Sequence, residues 1–419
     1  MRDIPRATGR NRHLLVLTIA GALAILALWF APEATAASER LLDETDNGAI
    51  YVAGELIVTY KEDSSEEAPP DITEILPEQA QAEVADDLPL VNTQVIELPG
   101  IKDEASENVR EESLERAKEA LAGDPAVEAV DYNYVRRFSY TPNDPRFRDQ
   151  YGLRQIEAPR AWDRSQGRAK VRIGIVDSGI RTSHPDLNGK LISQYDFGNG
   201  DSVAEDTEGH GTHVSGVAAA ETGNRAGVAG ACPNCKLVVA KVDRRGEIDA
   251  AAVIKGINWA ANQRAKVINL SLGAPGYVEA EARAVRYAQR RGAVVVAAAG
   301  NANSTVRDYP AAYRGVLAVA STNRAGTRAN FSNKGNWIDV AAPGIGILST
   351  APGGYTSLSG TSFSSPYVAG VAGLLASQGR GPSAISRRIT GTATDLGPDG
   401  RDPFYGAGRL DAASAVGIR

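Results

Sequence analysis

The chain has 419 residues, with 45 Lys and Arg against 51 Asp and Glu, 43 Gly, 21 Pro, two Cys, four His and one Met. That length suits two or three domains, and 43% hydrophobic with 23% charged residues excludes wholesale disorder, collagen and coiled coil. Two cysteines cannot staple a scaffold, and the formal net charge of −6 conceals three blocks: +2 over residues 1–37, −18 over 38–139 and +10 over 140–419.

Arg2, Arg6, Arg10 and Arg12 precede an uncharged run from Leu14 to Pro32, and Ala34-Thr35-Ala36 follows with small residues at signal-peptidase spacing. Residues 1–37 read as a secretory signal peptide cut near Ala36 or Ala37. The alternative is an uncleaved anchor, since the apolar core can nearly span a bilayer. Either way the protein is expected to be secreted or extracytoplasmic, and it meets a membrane only if this segment is retained.

The acidic block, 38–139, opens with a strand at Glu55–Tyr60 and has another at Thr93–Leu98. Ten acids and one Lys between residues 61 and 87 predict a solvated helix or loop. Glu107–Leu121 places Val109, Leu114, Ala117 and Leu121 on one helical face and stops at Gly123 and Pro125. Val127–Val135 alternates like a strand. This order predicts a small α+β, ferredoxin-like domain. It contains no His and no Cys, so no catalytic group is expected there.

In the basic block, 140–419, apolar runs at Val171–Val176, Leu237–Val242, Val267–Leu272, Val294–Ala299, Val316–Ala320 and Trp337–Ala341 alternate with helical patterns near 248–263, 278–291 and 364–377. Such alternation predicts a doubly wound α/β domain with a mainly parallel sheet, whose sites gather at the carboxyl ends of the strands. Asp177, Ser271 and Asn301 stand at such ends. Only three histidines occur here, His184, His210 and His213. Asp177 closes a strand in VDSG, His210 opens a helix in HGTHVSG, and Ser362 lies in SGTSFSSP just before a helix. A serine hydroxyl needs an imidazole to take its proton, and the imidazole needs a carboxylate to fix its tautomer. The chain order Asp, His, Ser is one of the recognised orders for such a triad. An esterase reading fails, because no GxSxG elbow exists and the order is wrong. A catalytically silent binding protein is disfavoured by the intact Asp177, His210, Asn301 and Ser362.

From YTPNDP through VDSGI, SHPDL, HGTHVSG, SLG, AAAGN, YPA and SGTS, residues 140–419 resemble the subtilisin family of serine proteases, in its thermitase-like branch. The acidic block is similar to the inhibitory propeptide of secreted members. The resemblance implies a zymogen whose propeptide templates the catalytic domain, blocks it, and is removed by self-cleavage. It gives Asp177 the orienting role, His210 the base and acid role, Ser362 the nucleophile and Asn301 the side-chain donor of the oxyanion hole. His184 and His213 stay structural. Ser271-Leu272-Gly273 resembles the edge that pairs with an extended peptide. Tyr309-Pro310 matches a tight turn, often with a cis peptide, beside the pocket for the residue preceding the cut. Asp308 falls on the floor of that pocket and there would favour Lys or Arg; otherwise it is a solvated surface acid or a calcium contact.

Calcium is the implied cofactor. Asp144, Asp186 and Asn224 match side-chain ligands of one site, with carbonyls from Thr222, Ala226 and Val228. Asp196, Asp201 and Glu205 resemble a second, less well-matched site. The expected partners are polypeptide substrates and the chain's own propeptide, with no nucleic acid and a monomeric enzyme. Maturation is expected after Arg137 or after Ser139. Two features depart from the family: Phe363 follows the nucleophile where Met is common, and Cys232-Pro233-Asn234-Cys235 reads as a redox pair, half a zinc site or, favoured here, a local disulfide.

Overall fold

The computed structural model describes residues 41–44, 50–61, 72–104, 106–135 and 140–418. The amino-terminal apolar run and residues 136–139, where maturation is expected, lie outside the described residues. The chain divides into two compact units, one ending at Arg136 and the other beginning at Arg137.

In the first unit, β1 (Leu42–Glu44), β2 (Ile50–Tyr60), β3 (Glu83–Leu88), β4 (Thr93–Glu97) and β5 (Val127–Tyr134) form one antiparallel sheet. The order is β1-β2-β4-β3, with β5 on β2. Helix Glu107–Ala122 lays Leu114, Ala117 and Leu121 into a core with Leu56, Val58 and Ile96. Val109, expected on that face, is exposed. The strand β3 (EVADDL) arises where a solvated helix or loop is expected. All six of its residues are exposed, so it carries no hydrophobic alternation and is held by its ladder to β4.

The second unit is built on a seven-stranded parallel sheet of β6 (Arg172–Asp177), β7 (Leu191–Asp196), β8 (Lys236–Lys241), β11 (Val267–Leu270), β13 (Val294–Ala298), β15 (Val316–Thr322) and β16 (Val340–Pro343). Their order is β16-β15-β13-β11-β6-β8-β7. Three pairs complete it: β9 (Asp243–Arg244) with β10 (Glu247–Ile248), β12 (Ala274–Pro275) with β14 (Asp308–Tyr309), and β17 (Ile347–Ala351) with β18 (Gly354–Leu358).

The central strands are Val-, Ile- and Ala-rich because both faces are covered. Ile173, Ile175 and Val267 turn one way, toward Val368, Val371 and Leu374 of helix Thr361–Ser377. Val176, Ile268 and Leu270 turn the other, toward helices Ala250–Asn262 and Glu279–Arg290. Chain order reverses at β6, whose neighbours are β11 and β8. A crevice opens at the carboxyl ends of strands flanking such a switch point.

Candidate active site

Asp177 is the last residue of β6, at that switch point, and is 3% exposed. His210 is the first residue of helix His210–Ala219, which starts close against the VDSG turn. Gly211 permits this approach, since a Cβ there would lie 2.3 Å from the Gly179 carbonyl. The outcome is a 2.7 Å contact between His210 Nδ1 and Asp177 Oδ1, whose oxygen also accepts the Ser178 N–H at 2.8 Å. Burial alone would lower the His210 pKa; the charge and hydrogen bond of Asp177, with the charge of Asp206, outweigh it and raise it above the ordinary imidazole value.

Ser362 falls inside a helix rather than before one. Helix Thr361–Ser377 begins three residues earlier than the sequence suggests, with Gly360 (φ 156°, ψ 159°) as its N-cap. Ser362 therefore sits in the first turn, where backbone N–H groups have no helical acceptor and the helix field favours negative charge. Pro366 lies four residues on and has no N–H to give the Ser362 carbonyl. That carbonyl instead accepts the Ser271 hydroxyl at 2.7 Å, and the same hydroxyl oxygen accepts Asn269 Nδ2 at 2.8 Å. The proline thus frees the acceptor through which Ser271, just beyond β11, grips the Ser362 backbone. The Ser362 hydroxyl donates to the Ser271 carbonyl at 3.2 Å and makes no hydrogen bond to His210 in this structure. Phe363 packs its ring 5.4 Å from the His210 ring and 4.5 Å from that of His213.

Asn301 lies beyond β13. Its Oδ1 accepts both the Thr361 N–H at 2.9 Å and the Thr361 hydroxyl at 3.0 Å. That assignment fixes the amide and leaves Nδ2 as a donor beside Gly360, 3.6 Å from where a Cβ would be. Ser271–Gly273 runs between β11 and β12, outside both ladders. It forms one wall of a cleft of about 580 Å³ that Asp177, His210, Leu272 and Tyr309 also line.

Several supporting groups escape sequence reading. Buried Asp206 takes Ser178 Oγ at 2.9 Å, the Gly209 N–H at 2.8 Å and the Thr212 N–H at 2.7 Å, so it fastens the start of the His210 helix. Its only local signal is an acid four residues before the helix start, outside the N-cap position that Gly209 fills. Thr361 holds Asn301 in the same indirect way.

The other predicted residues separate cleanly. His184 accepts the Asp186 N–H and bonds the Gly354 carbonyl at 2.8 Å. His213 bonds the Ile347 carbonyl at 2.9 Å, and burial pulls its pKa down to about 4. Both are structural. Asp308 is 8% exposed, precedes a cis Tyr309–Pro310 bond, and accepts Asn333 Nδ2 at 3.1 Å. Gly300 admits it, because a Cβ there would be 2.1 Å from Asp308 Oδ2. Cys232 and Cys235 form the local disulfide, fully buried against Gly373 of helix Thr361–Ser377.

For calcium, the loop 222–228 closes over two buried carboxylates. Asp144 Oδ2 accepts the Gly223 N–H at 2.7 Å, while Asp186 accepts Asn224 Nδ2 at 2.9 Å and the Val228 N–H at 2.8 Å. Asp144 Oδ1 is buried and accepts no hydrogen bond, so it is available to a cation. This oxygen-only set fits Ca²⁺. Asp196, Asp201 and Glu205 do not converge: Asp196 bonds Asn199, Asp201 bonds the Val203 N–H, and Glu205 pairs with Arg181 at 2.6 Å. Among the described residues no three His, Cys, Asp or Glu side chains come together as a metal site.

Residues 168–408 match the subtilase family, and residues 39–133 match the fervidolysin N-terminal prodomain. Thermitase of Thermoactinomyces vulgaris is 48% identical over 280 residues, 66% of this chain and 99% of thermitase. The thermophilic serine proteinase of Bacillus sp. (strain AK1) is 42% identical over 307 residues, 73% of this chain and 76% of that protein. Among solved structures, a protease from Pseudoalteromonas arctica superposes with a TM-score of 0.62 at 34% identity, covering 66% of this chain and 99% of its own. The chain thus belongs to the subtilase family of serine endopeptidases and carries the prodomain of a zymogen.

Proposed function

We propose that Asp177, His210 and Ser362 hydrolyse peptide bonds through an acyl-enzyme. The observation that carries this reading is the buried 2.7 Å Asp177–His210 contact at the switch point, with the Ser362 helix packed against the same imidazole through Phe363. The bond from Asp177 to Nδ1 leaves Nε2 as the base. When a peptide lies along Ser271–Gly273, the Ser362 hydroxyl turns from the Ser271 carbonyl to Nε2 and gives up its proton. Its Oγ attacks the scissile carbonyl, and Asn301 Nδ2 with the Ser362 N–H receives the oxyanion. His210 then protonates the leaving amine, and water repeats the steps in reverse on the ester.

Asp308 is read as the group that favours Lys or Arg before the cut. It is nearly buried and forms no ion pair among the described residues. Calcium would be held by Asp144, Asp186 and Asn224 with carbonyls of Thr222, Ala226 and Val228, fixing the loop 222–228. Residues 1–37 serve export, 38–139 act as intramolecular chaperone and inhibitor, and 140–419 are the secreted, monomeric enzyme. For the maturation cut, the Tyr140 N–H donates to Asp163 Oδ1 at 2.7 Å. Cleavage after Ser139 would turn that amide into an ammonium on a carboxylate, which favours this site over Arg137.

Incubating the zymogen with calcium, then sequencing the new amino terminus and assaying peptides varied at the residue before the cut, tests these points together. Tyr140 is expected first, with Arg and Lys peptides preferred and the preference lost in Asp308→Ser. Equal cleavage of Phe and Arg peptides, unchanged by Asp308→Ser, would refute the Asp308 reading.

A further inference from the structure

The cleft beside His210 is lined by five carboxylates, Asp177, Glu208, Asp243, Asp249 and Glu281, and by no Lys or Arg. Three of them are committed. Asp177 holds His210, Asp243 pairs with buried Lys241, and Asp249 caps helix Ala250–Asn262 through the Ala252 N–H. Glu208 is an exposed residue at the rim. Glu281 differs from all of these, being 6% exposed and without an ion pair among the described residues. Its one hydrogen bond is to the Tyr313 hydroxyl, 2.9 Å from Oε2.

A buried carboxylate with one neutral donor is poorly compensated for the hydration it gives up. Glu281 is the third residue of helix Glu279–Arg290, where the helix field favours the ionised form. Burial pushes its pKa up and Tyr313 opposes this. The same cleft has Ile248, Val253, Leu272 and Val278 in its wall. That combination, aliphatic lining beside a buried carboxylate without an ion pair, matches a side chain with a long apolar stem and a cationic tip. Asp308 does not line this cleft, so the two carboxylates address different substrate positions.

We propose that Glu281 is a specificity-determining residue that selects peptides carrying Lys or Arg upstream of the scissile bond, at a position separate from the residue immediately before the cut. Such a side chain would supply the counter-ion that the fold omits. The enzyme would then cleave after basic-rich segments rather than after single basic residues. This inference rests on the reading of Asp177, His210 and Ser362 as the catalytic centre.

The test is a set of fluorogenic peptides, scanning Lys, Arg, Leu and Glu through each position before the cut, with the mature wild type, Glu281→Gln and Glu281→Asp. The Gln variant keeps an acceptor for Tyr313 and loses only the charge. The wild type should prefer Lys or Arg over Leu at one upstream position by at least about tenfold in kcat/KM, the scale of one buried charge-assisted contact. Glu281→Gln should bring that ratio close to one, and Glu281→Asp should retain a basic preference. No upstream preference in the wild type, or a preference that survives Glu281→Gln, would overturn the proposal. If no peptide is cleaved and Ser362 takes no serine-directed phosphonate, the reading of the catalytic centre fails, and this inference falls with it.

Discussion

Replacing Asp177 by Asn probes the site where its geometry is tightest. The carboxylate is 3% exposed and 2.7 Å from His210 Nδ1, so solvent cannot substitute for it. Losing a charge-assisted hydrogen bond of this kind costs roughly 1.5–3 kcal/mol, or about 10- to 100-fold in rate. A second loss adds to it: an Asn amide can donate to Nδ1, which puts the proton on Nε2 and leaves Ser362 without a base. Together these predict a fall in kcat of about 10⁴-fold, as for the same change in other triads. The pH profile should move as well. Activity needs neutral His210, and Asp177 raises the imidazole pKa against the effect of burial. The wild-type acid limb of kcat/KM therefore lies above about 6.5, and in Asp177→Asn the residual activity should have its acid limb below that value. The same pairing stabilises the fold most below the unfolded imidazole pKa, and this contribution disappears as pH rises through the raised folded value. An Asp177→Asn enzyme within tenfold of wild type, with an unmoved acid limb, would refute the reasoning.

Asn301→Ala should lower kcat by about 10²–10³-fold with little change in KM, because the lost donor acts on the oxyanion; a change confined to KM would contradict it. Activity should survive peroxide, since the chain's single Met is Met1 and both cysteines are in a disulfide, whereas Phe363→Met should become sensitive. Sensitivity in the wild type would show another oxidisable group at work. Chelation should lower the thermal midpoint of the mature enzyme, and Asp186→Ala should lower it in calcium and abolish the further effect of chelator. Buried His213, with its pKa pulled down to about 4, should destabilise the fold as pH drops from about 6.5 toward 4, by roughly 3 kcal/mol in all. Urea unfolding of wild type and His213→Gln across that range measures it, and parallel curves would contradict the assignment.

The central strands and the residues at their ends were legible because both depend on local signals. Buried parallel strands read as Val, Ile and Ala runs, and Asp177, His210 and Ser362 announce themselves by motif and order. Strands β3 and β7 were missed, since an exposed or half-buried edge strand takes its stability from its neighbour's ladder rather than from a hydrophobic pattern. β16 starts at Val340 rather than Trp337, because the Ile338 N–H is first used in a turn to the Gly335 carbonyl. Thr361 acts only through a group distant in sequence and Pro366 through a bond that is withheld, and no spacing rule reveals either. The set Asp196, Asp201 and Glu205 was named by resemblance rather than by any local signal. Resemblance matches them to a second cation site, whereas their side chains here meet Asn199, the Val203 N–H and Arg181.

The most direct measurement is labelling of the mature enzyme by a serine-directed phosphonate, followed by peptide mapping. A single adduct on Ser362 is predicted, absent in Ser362→Ala and strongly slowed in His210→Ala, with proteolysis lost in parallel. An adduct on another residue, or proteolysis that persists in Ser362→Ala, would contradict the assignment of Ser362 as nucleophile.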